Sequence, residues 1–105
     1  MTVEIELLVV PDCPREAAAA DLITSAVADT GVHATVTRAC ITSQDQARLR
    51  GFVGSPTILL NGSDPFADPT ASAAMACRLY PTPDGRRGVP TLRDLRQALK
   101  RAAEV

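Results

Sequence analysis

Residues Val3 to Val10 carry the pattern that most narrows the fold. Val3, Ile5, Leu7 and Val9 alternate first with Glu4 and Glu6, then with Leu8 and Val10. The segment therefore enters half-wet and ends apolar on both faces, as a central strand does. Pro11 stops it, and a helix follows at once. Pro14 suits the first helical position, which puts Cys13 at the N-cap. Ala19, Leu22, Ile23, Ala26 and Val27 form one apolar stripe, Asp21, Thr24, Ser25 and Asp29 face outward, and Gly31 ends the helix. A short β-branched strand, about His33 to Arg38, completes a β–α–β unit with two parallel strands and a right-handed crossover.

The remainder reads in shorter pieces. Ser43 with Gln46 is a capping-box pattern opening a short helix that Gly51 closes. Gly54-Ser55-Pro56-Thr57 leads into Ile58-Leu59-Leu60, a buried strand that ends at an Asn61-Gly62 turn. Residues 63–90 hold five of the eight prolines and read as a long structured loop folded back over the sheet edge. Within it, Ala74 to Tyr80 suits a helical turn or a strand. Thr91 caps a last helix with Leu92, Leu95, Leu99 and Ala102 on one face. At 105 residues the expectation is one α/β domain over 1–105, a central sheet flanked by helices and closed by a C-terminal helix.

Charge and composition remove several functions. Eleven Lys and Arg against twelve Asp and Glu give a net charge of -1, with no global field for nucleic acid. Stacking aromatics are few: Phe52, Phe66 and Tyr80. Arg86, Arg87, Arg93, Arg96, Lys100 and Arg101 gather late, as a solvated helix face and loop. No apolar run approaches the ~20 residues of a membrane span, and no basic segment precedes Val3, so the expectation is a cytoplasmic protein without membrane contact. Cys13, Cys40 and Cys77 are odd in number, widely spaced and without CxxC, which fits neither a disulfide framework nor a structural zinc site.

Cys13 is the sharpest chemical feature. At a helix N-cap a thiol faces unpaired N–H groups and the positive end of the helix dipole. It also lies past the C-terminal end of the first strand, the edge where open α/β sheets place ligands. The alternative is a small residue that merely packs, though cysteine is a poor cap beside Ser, Asp or Asn.

The strand Val3–Val10, the Pro11-Asp12-Cys13-Pro14 helix entry and the Val53-Gly54-Ser55-Pro56-Thr57 segment together resemble the thioredoxin fold family. The resemblance covers about residues 3–62 and, more loosely, the last helix. It implies a thioredoxin-like fold, Cys13 as nucleophile and Pro56 as a cis-proline beside it. It further implies that the Ser55 backbone, within the Ser55-Pro56-Thr57 substrate-binding segment, pairs with an extended substrate or glutathione. The family's second cysteine would stand at position 16, where this chain has Glu16, so a monothiol-type nucleophile is expected in place of a dithiol. Arg15 favours a thiolate and Glu16 opposes it.

Cys40 follows the second strand and lies on the same sheet edge as Cys13. It is either a second, resolving thiol or a small buried hydrophobe. Cys77, in Ala76-Cys77-Arg78-Leu79-Tyr80, is likewise a second thiol or a packed residue beside Leu79. That block, with Asn61-Gly62-Ser63-Asp64-Pro65-Phe66 and the Gly-Val-Pro-Thr before the last helix, is similar to a small actinobacterial-type, hence bacterial, thioredoxin-like group often labelled alkylmercury lyase. His33 reads as an exposed strand-entry residue.

Three functions compete. The first is thiol–disulfide exchange with a protein or low-molecular-weight thiol. The second is mercury, organomercurial or other soft-metal handling by Cys13 with Cys40 or Cys77, since two thiolates hold a soft ion. Cleaving a carbon–mercury bond would also need a proton donor, for which Asp12 and Glu16 are the nearest carboxylates in sequence. The third is a non-catalytic binding module using the edge near Pro56 and the 63–90 loop. No resident cofactor or firm metal site is implied; a soft metal or small thiol would be a transient ligand.

Overall fold

The computed structural model describes residues 2–104. In chain order it contains β1 (Val3–Val9), α1 (Glu16–Thr30), β2 (Ala34–Cys40), α2 (Gln44–Arg50), β3 (Thr57–Leu60), β4 (Tyr80–Thr82), β5 (Gly85–Arg87) and α3 (Leu92–Ala103). The main sheet has the order β2-β1-β3, with β1 parallel to β2 and antiparallel to β3. β1 is thus central, as its sequence pattern predicts. A separate antiparallel pair, β4 and β5, lies inside the region read as a loop.

The alternation of β1 sorts the core into two layers. Val3, Ile5, Leu7 and Val9 join Ile58 and Leu60 of β3 against Ala19, Ile23 and Ala26 of α1 and Leu95, Ala98 and Leu99 of α3. Leu8 and Leu59 point the other way and meet Ile41, Ala47 of α2 and Phe52. Helices therefore cover both faces. The break in apolar character at Glu6 also has a partner, because its carboxylate pairs with Arg50 at the end of α2.

Most punctuation falls where the sequence puts it. Gly31 and Gly51 end α1 and α2 in left-handed conformations. Ser43 caps α2 and Thr91 caps α3, each accepting from an amide of the first turn. The capping box is modified: the Gln46 side chain reaches back to the Thr42 amide at 2.8 Å. Asn61 and Gly62 both have positive φ (53° and 83°), the backbone a tight primed turn requires.

Several expectations are corrected. The second strand runs Ala34–Cys40, so Cys40 ends β2 and pairs in register with Val9. Ala74 to Tyr80 is neither a helical turn nor a regular strand; it is irregular chain with one β-bridge, and only Tyr80 enters a strand. Cys77 and Leu79 are exposed and not packed.

Candidate functional site

One end of the main sheet gathers the C-terminal ends of β1 and β2 and the start of the antiparallel β3. The turn after β1 brings Cys13 there, in a setting that differs from the expected cap. Asp12 takes a left-handed φ of 57°. The Cys13 carbonyl then accepts from the Glu16 amide at 3.3 Å, closing a turn with Pro14 in its second place. The proline's fixed φ thus serves a tight turn, and the N-cap of α1 is Arg15, with no side-chain cap. Cys13 is thus not the helix cap but stands two residues ahead of it.

What meets the Cys13 sulfur is a side chain from across the sheet. The Ser55 hydroxyl donates to Cys13 Sγ at 2.9 Å and accepts from the Val10 amide at 3.1 Å. Ser55 is 1% exposed, so this hydroxyl is a fixed strut between the β1 exit and the β3 entry. The Ser55–Pro56 bond is cis, as expected for Pro56. Pro56 and Thr57 are fully buried, and Thr57 donates to the Gly54 carbonyl at 2.6 Å. Cys13 itself is half-buried, its inner side packed on the α1–α3 core layer.

The Ser55 backbone, expected to meet a substrate, is paired within the protein. Its amide donates to the Ala76 carbonyl at 2.7 Å, and its carbonyl accepts from the Arg78 amide at 3.0 Å. These two bonds make a parallel bridge between Ser55 and Cys77. The chain's own residues 76–78 therefore fill the place where an added strand would pair. Gly54 makes the approach feasible. Its φ is 147°, and a Cβ there would stand 2.8 Å from the Arg78 Cβ.

Arg78 locks this segment down, and sequence reasoning missed it. The guanidinium is 8% exposed and bonds both carboxylate oxygens of Asp64, at 2.7 and 3.4 Å, and the Phe66 carbonyl at 2.7 Å. It also lies 4.5 Å over the Tyr80 ring, whose edge meets Phe66. Burial pushes the Tyr80 hydroxyl up from its ordinary pKa, so it stays a proton donor to the Pro56 carbonyl. Arg78 and Asp64 are fourteen residues apart, and no periodicity links them. Their only sequence signal was membership of the two quoted blocks.

The remaining predicted residues divide. Cys40 is half-buried on β2, on the far side of β1 from Ser55. Cys77 is exposed beside Ser55, and all three thiols are free. Glu16 forms an ion pair with Arg38, whose hydrogen bond holds the carboxyl below its ordinary pKa. Such a carboxylate is ionised at neutral pH, which suits an ion-pair anchor and not a proton donor. Asp12 is exposed at the turn, and His33 is exposed at the entry to β2 as expected. Among the described residues, no helix is long and apolar enough to cross a membrane, and no group of three or more His, Cys, Asp or Glu could hold a metal ion. No family model, curated protein or solved structure matches this chain.

Proposed function

We propose that this protein has a thioredoxin-like fold and performs thiol–disulfide exchange, with Cys13 as the attacking thiol. The observation that carries the reading is the Ser55 hydroxyl fixed on Cys13 Sγ at 2.9 Å. Ser55 is buried and tied to the Val10 amide, so it holds the half-buried sulfur in one orientation at the sheet edge. As a donor, the hydroxyl serves the sulfur in its thiol or its thiolate form. In the exchange step the Cys13 thiolate attacks a disulfide, a mixed disulfide forms on Cys13, and the other half leaves as a thiolate.

The occupied Ser55 backbone narrows the substrate. Pairing of an extended protein strand at that residue would require residues 76–78 to leave first. The reading therefore favours low-molecular-weight disulfides, which reach the sulfur without strand pairing. Replacing Cys13 by Ser should abolish exchange with glutathione disulfide while replacing Cys40 by Ser leaves its rate unchanged. Unchanged exchange in the Cys13→Ser protein would refute the reading.

A further inference from the structure

Resting on Cys13 as the nucleophile, we propose that Cys77, and not Cys40, is the second thiol that resolves the mixed disulfide on Cys13. The position of the Cys13 sulfur on the sheet edge carries the inference. In the order β2-β1-β3, Cys40 ends β2 on one side of β1, whereas Ser55 precedes β3 on the other. The hydrogen bond to Ser55 Oγ turns the sulfur toward the β3 side. The next chain outward on that side is residues 76–78, and the residue opposite Ser55 is Cys77.

Residues directly paired in a parallel bridge lie about 4.8 Å apart and send their side chains to the same face. Cys77 therefore projects from the face on which the Ser55 hydroxyl meets Cys13. A second contact between the two segments agrees. Leu79, two residues beyond Cys77, and Arg15, two residues beyond Cys13, line one cleft. Gly88 lies so close to Arg15 that a side chain there would run into it. The Arg15 side chain, two residues beyond Cys13, thus reaches the segment that follows Cys77.

The two thiols also differ in exposure and in how they are held. Cys40 is held in the β1–β2 ladder opposite Val9, and the following amide, Ile41, donates to the Val9 carbonyl at 2.7 Å. Cys77 is exposed in irregular chain, tied through the bonds of its neighbours Ala76 and Arg78. Disulfide geometry asks Cα atoms to come within about 7 Å, and the exposed Cys77 side chain is reached without opening the sheet ladder that holds Cys40.

The chemistry balances in two steps. Cys13 thiolate attacks a low-molecular-weight disulfide, forming one S–S bond and releasing one thiolate. Cys77 thiolate then attacks Cys13 Sγ, the internal disulfide forms, and the second substrate thiolate leaves. The substrate gains two electrons, the protein loses them, and the protons of both cysteines go to the leaving thiolates through solvent. A reducing dithiol restores the pair.

The test treats the reduced full-length protein with one equivalent of glutathione disulfide, followed by intact mass and peptide mapping. The wild type should lose two hydrogens and yield a linked Cys13–Cys77 peptide. The Cys77→Ser protein should stop at a glutathione adduct on Cys13, and Cys40→Ser should behave as wild type. A linked Cys13–Cys40 peptide, or a wild-type protein that ends as the Cys13 adduct, overturns the role of Cys77 and leaves Cys13 as nucleophile. Absence of Cys13 from both adduct and linked peptide overturns the two proposals together. Because the wild-type linkage is read directly, the result does not depend on how a variant folds.

Discussion

The three-stranded sheet with its helices and the segment from Asn61 to Pro90 are held together by different physics. In the first, alternating apolar side chains on β1 bury against α1 and α3 on one face and against Ala47 and Phe52 on the other. In the second, a buried guanidinium joins Asp64, Phe66, Thr57 and Tyr80. A hydrophobic layer tolerates small losses, because each methylene contributes only part of the whole. A buried ion pair does not, because removing one partner strands the other away from water. The candidate site sits on the seam, with Cys13 contributed by the first region and Cys77, bridged to Ser55, by the second.

The largest expected effect breaks the second region alone. Arg78→Ala should cost about 3–5 kcal/mol, since it leaves the Asp64 carboxylate nearly buried without its partner. Amide exchange should then speed up at Ser55 and Arg78 before it does in β1. Equal loss of protection across β1 and residues 76–78 would show that the two regions are one cooperative unit.

The smallest expected effect sharpens the comparison from the other side, at a surface pair within the first region. Glu16 has its pKa lowered in the folded protein by Arg38. Its contribution to stability is therefore present above the ordinary carboxylate value of 4.5 and is lost as pH falls through the lowered value. Glu16→Gln should lower the melting temperature slightly at about pH 7, and the difference should shrink as the pH falls below 4.5 and through the lowered value. The effect is small because the Arg38 side chain is half exposed, where solvent screens the pair. A difference that grows in acid would mean that Glu16 acts through something other than Arg38.

The same contrast explains what the sequence disclosed. Periodicity reports burial, so β1, α1 and α3 were legible from Val3–Val10, Ala19–Val27 and Leu92–Ala102, and glycines and caps marked their ends. The N-cap falls two residues after Cys13 because Pro14 serves a turn as well as a helix start: Cys13 to Glu16 close a turn, and the helix is capped at Arg15. The sequence points to the backbone of Ser55, yet its side chain is what touches the sulfur, and its backbone is paired with Ala76 and Arg78. Contacts of that kind join residues far apart in the chain through single polar atoms. They leave no repeating trace in composition or spacing.

In the proposed function Ser55 and Cys13 form one reactive unit. The direct measurement is the rate at which Cys13 takes up glutathione disulfide in wild type and in Ser55→Ala, referred to Cys40 in the same sample. Removing the hydroxyl frees the sulfur to turn and leaves the Val10 amide without its acceptor. The Cys13 rate should fall relative to that of Cys40. An unchanged ratio would contradict it.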